Sequence, residues 1–405
     1  MLTTMRTTWN FWTAGQLVFG PGASGQLGEL LGRQKLNKVF VVTDPNLEQA
    51  GIVDQVRQPL QLAGINVHIF DGGVAEPSLH IAQQSIDAAC RFQPDAILGL
   101  GGGSNIDLAK ITATVYSHGG VPSDYFGFDN VPGPVLPLIC VPTTSGTGSE
   151  VSQAAVLTDT DNEMKVSTLS NYQRPTIAVV DPLLTISCPP QVTADSGIDA
   201  LTHAIEAYTA VDFDKMETPP GEACAYEGRY PLCDCFAEKA IDLVRQHLVT
   251  AVREPDNVEA RCGMSLAATM AGVAFSNGGV ALVHALEYPI GAALHCSHGA
   301  GNGLLLPYVM RFNLPVRKRT FARIAQLLGE DLSGLSEDQS AESAISAIMR
   351  LRSDIGIPDR IRDLGGTEDQ LARFAEKAFA VKRLHWVNPR QPTLEDLQQI
   401  LKSAY

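Results

Sequence analysis

The segment DAILGLGGGSNIDLAK, residues 95–110, has the pattern of a buried β-strand, a glycine-rich turn and the start of a helix. The apolar run DAIL predicts the strand, and Ser104 followed by Asp107 fits a capping pattern at a helix N-terminus. A strand joined to a helix by so short a turn is the repeating unit of a parallel sheet. This segment therefore predicts an α/β fold.

The same alternation continues on both sides of this segment. Strand-like runs occur in KVFVVTD (38–44), INVHIFD (65–71), LPLICVPTT (136–144) and TIAVVDP (176–182), with helix-like stretches between them. This rhythm predicts a parallel sheet covered by helices on both faces.

Beyond about residue 190 the strand-like runs end and long helical patterns take over. We therefore predict an α/β domain over residues 1–190 and an all-helical domain over residues 191–405. Proline and glycine interrupt the helical pattern at residues 211–232, which we interpret as an inserted loop.

The composition is that of a globular protein, with 45% hydrophobic and 18% charged residues in a chain of 405. A net charge of −14 argues against a nucleic-acid partner, because binding phosphates requires a basic surface. No apolar stretch approaches the roughly 20 residues that span a bilayer. The 8 cysteines are scattered, which is typical of reduced thiols. We expect a cytoplasmic enzyme with no membrane partner; a metal or redox trio of Cys224, Cys233 and Cys235 is a less favoured alternative.

Three glycine-containing segments compete as the phosphate-binding loop. GPGASG (20–25) fits the dinucleotide pattern literally, but the strand before it is short. The turn at Gly101–Gly103 follows a strong strand and begins a helix, whose amide groups and dipole favour a pyrophosphate. PTTSGTGSEVS (142–152) follows the next strand and is rich in hydroxyl groups. We expect a dinucleotide to lie across the latter two loops, at one edge of the sheet.

Asp44 ends the strand KVFVVTD. A carboxylate at this position can accept hydrogen bonds from ribose hydroxyls and repel a 2′-phosphate, which favours NAD over NADP. An aspartate at a strand end is also an ordinary turn residue.

The segment HALEYPIGAALHCSHG, residues 284–299, places 3 of the chain's 9 histidines in an apolar stretch. We expect a helix to carry His284 and to end near Pro289, because proline disfavours a helix interior. The following loop would then return either His295 or His298 to the same place.

A second pair of candidate ligands lies in GIDALTHAIEAY, residues 197–208. Asp199 and His203 are four residues apart, so a helix places them on one face. Together with His284 and one of the two later histidines they form a set of three imidazoles and one carboxylate. Such a set suits Fe²⁺, Zn²⁺ or Mn²⁺ and leaves a position for a substrate oxygen.

The chain resembles the iron-containing (group III) alcohol dehydrogenases over almost its whole length. The segments that carry the resemblance are GGGSNIDLAK (101–110), PTTSGTGSE (142–150), VVDPLLT (179–185), GIDALTHAIEAY (197–208), VHALEYPIGA (283–292), SHGAGNGLLLPYVMRFN (297–313) and NPRQPTLEDLQQIL (388–401). The resemblance implies a dehydroquinate synthase-like arrangement, with a Rossmann-like nucleotide domain followed by a helical metal domain. It also implies a small-molecule alcohol as substrate and a homodimer or larger homo-oligomer.

The resemblance assigns roles to individual residues. The implied metal ligands are Asp199, His203, His284 and His298. The implied cofactor contacts are Asp44, Gly101, Gly102, Ser104, Asp107, Thr143, Thr144, Thr147, Ser152 and Lys165. Phe275 would form a wall near the nicotinamide.

These residues predict a metal-dependent oxidoreductase that transfers a hydride between a primary alcohol or hydroxy acid and NAD, reversibly. The metal, Fe²⁺ or alternatively Zn²⁺, would polarise the alcohol oxygen. Where many relatives carry a further histidine, this chain has Tyr288. The proton of the alcohol would then pass through Tyr288, a cofactor ribose hydroxyl or water.

Two alternatives remain open at this stage. The segments around YPI (288–290), YEGRYPLCD (226–234) and AFSNGGV (274–280) look like the hydroxyacid-oxoacid transhydrogenase branch of the family, which acts on 4-hydroxybutyrate-like substrates. That reaction needs a cation for the carboxylate, and the sequence offers Arg229 and Arg390. A metallohydrolase that uses the same ligands to activate water is a more remote alternative.

Overall fold

The computed structural model of the chain describes residues 6–160, 164–217 and 224–405. These residues form two compact units. An α/β unit spans Trp12–Cys188, and a helical unit comprises Pro189–Tyr405 together with the described residues before Trp12.

Every strand-like run singled out in the sequence forms a strand of the α/β unit. The strands are β1 (Gln16–Phe19), β2 (Lys38–Val42), β3 (Asn66–Phe70), β4 (Ala96–Gly101), β5 (Gly127–Phe128), β6 (Leu138–Pro142), β7 (Ala154–Asp159), β8 (Met164–Leu169) and β9 (Ile177–Val180). A parallel sheet of six strands has the order β1-β9-β6-β4-β2-β3, and a smaller sheet has the order β5-β8-β7. The predicted parallel sheet is confirmed.

The carboxyl ends of the central strands of the large sheet lie at the same edge of that sheet. Val42 of β2 lies opposite Gly99 of β4, and Gly101 of β4 lies opposite Pro142 of β6. The chain leaves β2 toward β3 on one side, whereas β4 and β6 lie on the other side. Ligands of open α/β sheets bind where the strand order reverses in this way.

Successive residues of β2 face opposite sides of the sheet, each in its own core. Val39 and Val41 belong to one buried cluster, and Phe40 and Val42 belong to another. The helices that cover the two faces are α1 (Leu27–Arg33), α2 (Pro45–Gln49), α3 (Ile52–Leu62), α4 (Leu79–Phe92) and α5 (Gly103–His118). A strand buried on both faces explains why its sequence is apolar throughout.

The start of α5 differs from the sequence prediction. The N-cap of α5 is Gly102, with no side-chain hydrogen bond to the first turn, so the predicted capping role of Ser104 is wrong. The Oγ of Ser104 instead accepts a hydrogen bond from the backbone N–H of Glu76 (3.2 Å). The first amide groups of α5 therefore lack a side-chain cap.

The helical unit packs around one large buried cluster. Its helices are α6 (Pro190–Thr209), α7 (Pro231–Arg253), α8 (Val258–Gly278), α9 (Leu282–Leu294), α10 (His298–Leu327), α11 (Glu337–Asp354), α12 (Leu371–Ala380), α13 (Lys382–Val387) and α14 (Leu394–Ala404). In the described residues no single helix is long and apolar enough to cross a membrane. Only α8 and α9 taken together meet that criterion of length and composition, with a bend of 107° between them.

Helix α9 continues past the residue that was expected to end it. It runs through Pro289 to Leu294, and His295 closes it with a left-handed backbone (φ 51°). Burial of Leu286 and Ile290 on either side of Pro289 stabilises the helix despite the missing N–H donor. The prediction that the helix ends near Pro289 is therefore wrong.

The N-terminal segment was predicted to belong to the α/β domain, but its described part packs on the helical unit. Trp9 stacks on Tyr230 with ring centroids 4.3 Å apart, and Phe11 stacks on Phe236 at 5.8 Å. Part of the predicted insert at 211–232, namely residues 218–223, lies outside the described residues, and α7 begins at Pro231.

Candidate metal site and nucleotide-binding loops

Three helices of the helical unit bring the predicted metal ligands together. Asp199 and His203 lie on α6, His284 lies in the first turn of α9, and His298 begins α10. A Cβ atom at Gly299 would lie 2.0 Å from the backbone oxygen of Asp195 on α6. Only a glycine therefore allows α10 to start so close to α6.

Three acceptor atoms point at one place in this site. The Nδ2 atom of Asn302 lies 2.8 Å from Oδ1 of Asp199, 3.2 Å from Nε2 of His284 and 3.1 Å from Nε2 of His298. Asp199, His284 and His298 can each offer a ligand atom, with all three atoms within 4.8 Å of one another. A side-chain amide carries only two hydrogens, so it cannot satisfy all three acceptors.

The fourth predicted ligand, His203, lies beside this group of three. Its ring stacks on His284 with centroids 4.8 Å apart and on Phe275 at 4.3 Å, and its Nδ1 atom is 3.8 Å from Oδ2 of Asp199. Within the described residues, this buried Nδ1 atom has no hydrogen-bond partner. The structure thus places His203 at the site with a nitrogen that is not engaged. His295, the alternative ligand, is exposed at the end of α9.

Burial and charge set the protonation of the ligands. Burial lowers the pKa of His203 to about 4, and the negative charge of Asp199 opposes that shift only in part. Burial would raise the pKa of Asp199, but the positive charges of His203, His298 and His284 and the amide of Asn302 outweigh it and lower the pKa. A neutral imidazole and an ionised carboxylate are the forms that bind metal ions.

Two buried glutamates hold the far nitrogens of two histidines. Oε2 of Glu206 lies 2.6 Å from Nδ1 of His284, and Oε2 of Glu287 makes a short hydrogen bond with Nδ1 of His298. A carboxylate behind a metal-binding imidazole fixes the ring and leaves the other nitrogen for the ion.

The side chains of this site fit a divalent metal ion. The possible ligand atoms of Asp199, His284 and His298 converge. Within the described residues, Nδ1 of His203 and the carbonyl oxygen of Asn302 are buried without a hydrogen-bond partner. A divalent cation held by Asp199, His284 and His298 would compensate lone pairs that the single amide of Asn302 cannot all satisfy.

Sequence reasoning did not assign a role to Glu206, Glu287 or Asn302. Their spacing carried a usable signal, since each lies three or four residues after a predicted ligand on the same helix. Residues at this spacing share a helix face.

In the α/β unit, the loops after β4 and β6 lie against each other. A Cβ atom at Gly102 would lie 3.4 Å from Oγ1 of Thr144, and one at Gly103 would lie 2.8 Å from Cγ2 of Thr147. Thr144 and Thr147 are partly exposed, whereas Thr143 is buried and its N–H donates to the oxygen of Gly101. The two predicted loops therefore present hydroxyl groups beside the uncapped start of α5.

Asp44 lies after β2 at the same sheet edge. Its Oδ1 atom accepts from the backbone N–H groups of Asn46 and Leu47 and caps α2, and its Oδ2 atom accepts from Nδ2 of Asn105 (2.7 Å). The carboxylate is thus held in place on both sides. Both the ordinary capping role and an orientation suited to ribose are compatible with these contacts.

The remaining predicted cofactor contacts fall into two groups. Lys165 pairs with Glu76 (2.8 Å), whose backbone also contacts Ser104. Asp107 and Ser152 face inward: Asp107 accepts from the backbone N–H of Val156 (3.0 Å), and Ser152 accepts from the buried Lys110 (3.1 Å). Ser152 is only 1% exposed, so its contacts serve the loop itself.

The segment GPGASG (20–25), which fits the dinucleotide pattern literally, is hydrogen-bonded to the carboxylate of Asp181. Asp181 accepts from the N–H groups of Gly22 (3.0 Å) and Ser24 (3.0 Å) and from Oγ of Ser24 (2.6 Å). The donors that a phosphate would use there are occupied.

The other candidate sites have structural partners. Arg229 pairs with Asp234 and donates to Thr320, and Arg390 donates to the oxygen of Phe312. In the described structure, neither guanidinium contacts Asp199, His284 or His298. The cysteine trio forms no metal-binding group there either.

A converging carboxylate–imidazole set in one unit and two phosphate-type loops in another are typical of metal-dependent, nucleotide-linked oxidoreductases. Comparison with known proteins supports this class. Sequence models of the iron-containing alcohol dehydrogenase family match residues 14–182 and, for its C-terminal part, residues 193–405. The chain belongs to the iron-containing alcohol dehydrogenase family.

Individual relatives agree with this assignment. The NAD-dependent methanol dehydrogenase of Bacillus methanolicus is 36% identical over 98% of this chain and 99% of the relative. The 1,3-propanediol dehydrogenase of Klebsiella pneumoniae is 37% identical over 96% of each chain. A crystal structure of 1,3-propanediol oxidoreductase superposes with a TM-score of 0.92, at 36% identity, over 98% of this chain and 100% of that one.

These findings confirm the predicted family and fold class. They also make the chain an oxidoreductase that interconverts alcohols and aldehydes, in line with the predicted function. Among these relatives, none supports the transhydrogenase branch or a metallohydrolase.

Proposed function

We propose that this chain is a metal- and NAD-dependent dehydrogenase of primary alcohols whose metal is bound by Asp199, His203, His284 and His298. The observation that carries the proposal is the convergence of Asp199 Oδ1, His284 Nε2 and His298 Nε2 on the single amide nitrogen of Asn302. Three lone pairs aimed at one point, in a buried place, favour a cation.

The ligand set favours Fe²⁺, with Zn²⁺ as the alternative. Imidazole and carboxylate donors bind both ions, and the family is iron-containing. When bound, the metal supplies a Lewis acid for the hydroxyl or carbonyl oxygen, and NAD supplies the hydride acceptor.

The chain's own side chains hold this site in shape. Phe275 stacks on His203 and limits the rotation of its ring. Glu206 keeps the Nδ1 atom of His284 engaged, so that Nε2 faces Asn302 and the other two acceptors. Such fixed ligands reduce the reorganisation needed when the reaction begins.

Tyr288 is the proposed group for moving the alcohol proton. It lies one helical turn after His284 on α9, and its ring centroid is 6.3 Å from that of His298. A phenol that reaches substrate or an intervening water can pass a proton at its hydroxyl oxygen.

The α/β unit is the proposed NAD site. Gly101, Gly102 and the uncapped start of α5 would receive the pyrophosphate, with Thr144 and Thr147 beside it. Asp44 would accept from the adenosine ribose and disfavour the 2′-phosphate of NADP. Ser104 and Lys165, which meet around Glu76, border the same loop.

The names of the relatives suggest primary alcohols and diols as the substrate class. Those relatives are called methanol dehydrogenase and 1,3-propanediol dehydrogenase, and a further one, 38% identical over 95% of this chain, is called long-chain-alcohol dehydrogenase 1. We place the substrate among unbranched primary alcohols, without a charged end.

The experiment measures the absorbance of reduced nicotinamide during turnover. It uses protein reconstituted with Fe²⁺ or Zn²⁺, either NAD or NADP, and a panel of primary alcohols, diols and 4-hydroxybutyrate. Asp199→Ala is the metal-site control. Metal-dependent turnover of uncharged alcohols with NAD, lost in Asp199→Ala, is the expected result. Turnover only after addition of 2-oxoglutarate, or equal turnover without metal, would overturn the proposal.

A further inference from the structure

Glu287 is a completely buried carboxylate in the interior of α9 (0% exposed). It lies one turn after His284 and makes a short hydrogen bond across to Nδ1 of His298, the first residue of α10. The side chain of His298 is 33% exposed, unlike those of His203 and His284, which are 6% and 3% exposed. Packing therefore restrains the side chain of His298 less than the side chains of His203 and His284.

The chain makes room for this contact at Gly301. A Cβ atom at Gly301 would lie 2.8 Å from Cγ of Glu287. The first turn of α10 thus packs directly against the buried Glu287 side chain, whose carboxylate reaches Nδ1 of His298. Burying a carboxylate is costly unless a hydrogen-bonded partner compensates, and His298 is a partner at this position.

The contact also determines which nitrogen of His298 faces the site. A carboxylate oxygen can only accept, so Nδ1 carries the hydrogen, and Nε2 keeps a lone pair toward Asn302 and Asp199. We propose that Glu287 is the positioning residue that holds His298 in the Nδ1–H form, with Nε2 directed at the metal. This inference rests on the proposed metal site and adds to it a residue that was not among the predicted ligands.

Glu206 makes the equivalent contact with His284 but also accepts other hydrogen bonds. Its oxygens also accept from the backbone N–H groups of Ala281 (2.9 Å) and Val283 (2.7 Å) at the start of α9. A substitution of Glu206 would disturb the helix as well as the ligand. Glu287 lies inside α9 and gives the cleaner test.

The experiment compares wild type, Glu287→Gln and the control Glu342→Gln by titrating Zn²⁺ or Co²⁺ into metal-free protein against a competing chelator. Glutamine keeps the size of the side chain, but its amide can donate to Nδ1 and so favours the wrong tautomer. We expect Glu287→Gln to bind the metal about 10- to 100-fold more weakly. Glu342 pairs with Arg311 at the surface of α11, and its variant should bind like wild type.

A second measurement distinguishes a role of Glu287 in positioning His298 from a role in stabilising the fold. Nitrogen NMR of the metal-free protein, labelled in histidine, should show His298 with its proton on Nδ1 in wild type and on Nε2 in a fraction of Glu287→Gln. The unfolding midpoint of each metal-free variant reports any loss of fold.

The outcomes are distinguishable. Wild-type protein that binds no metal defeats the proposed function itself. Wild type that binds metal, with Glu287→Gln binding within about threefold, overturns the role of Glu287 alone. If Glu287→Gln does not fold, the wild-type spectrum decides, because a His298 proton on Nε2 would overturn the inference.

Discussion

The side-chain nitrogen of Asn302 lies 2.8 Å from Oδ1 of Asp199 and within 3.2 Å of the Nε2 atoms of His284 and His298. In the metal-free protein, this amide is therefore the donor that faces all three acceptors. We expect Asn302→Ala to lower the free energy of unfolding of the metal-free protein by about 1–3 kcal/mol, because buried acceptors lose their donor. The metal-loaded protein should be affected less, since the ion replaces that donor.

Chemical denaturation with and without saturating Zn²⁺ measures this difference. Asn313→Ala is the matched control, because Asn313 is also buried on α10 but pairs with Asn388 away from the ligands. Its loss should be equal in both states. An equal loss for Asn302→Ala would contradict the prediction.

The pH dependence of metal-free stability should reveal His203. Burial lowers its pKa from 6.5 to about 4, so the unfolded chain binds a proton between these values and the folded chain does not. The contribution of neutral His203 to the free energy of unfolding is therefore complete above pH 6.5. It is lost as the pH is lowered toward 4, by about 3 kcal/mol in total. Unfolding curves of His203→Gln across this range should lack that part of the slope. His80→Gln, at an exposed position of α4, should keep it.

The coenzyme preference should change with the charge of Asp44. Asp44→Ser keeps an oxygen that can cap α2 but removes the carboxylate. We expect kcat/KM with NADP to rise relative to NAD by about 10-fold or more, because a repulsion of only 1.4 kcal/mol corresponds to that factor. Glu48→Gln, on the exposed part of α2, controls for general charge and should leave the ratio unchanged. The same ratio in both variants would contradict the assignment.

Proton transfer through Tyr288 predicts a selective loss of turnover. Tyr288→Phe should lower kcat by about 100-fold, with little change in KM, because general acid–base catalysis contributes at least that factor. Steady-state kinetics across pH should show the loss of one titrating limb. Tyr308→Phe removes a phenol that donates to the oxygen of Asp359 on the exposed side of α10, and it should retain wild-type kcat. Full activity of Tyr288→Phe would assign the proton to a ribose hydroxyl or water.

The approach of α10 to α6 depends on Gly299. A methyl group there would meet the backbone oxygen of Asp195 at 2.0 Å, and the backbone cannot move aside as a side chain can. Gly299→Ala should reduce the free energy of unfolding by about 3 kcal/mol, at the upper end of overpacking costs, and weaken metal binding. Gly32→Ala has open space around its Cβ position in α1 and should be neutral or stabilising. Thermal unfolding of both variants checks the comparison.

Most of the fold was predictable from local patterns. The apolar run KVFVVTD became β2, buried on both faces, and GGGSNIDLAK became the turn and start of α5, because strand and helix periodicities are properties of neighbouring residues. The spacing of Asp199 and His203 likewise placed both on one face of α6. The sequence pattern also pointed to His284 and to either His295 or His298, and the family resemblance favoured His298. The structure brings Asp199, His284 and His298 together.

Only the tertiary structure decided what depends on residues distant in the chain. Pro289 was expected to end α9, but burial in the helical core carries the helix on to Leu294. Ser104 was expected to cap α5, yet its hydroxyl serves Glu76. The spacing of Asn302 and Glu287 places each on the same helix face as a predicted ligand, but it does not show which residue of another helix each one contacts, because packing sets the approach of the two helices. The sequence alone determined the elements and the ligand types, and packing between helices determined how those ligands are oriented.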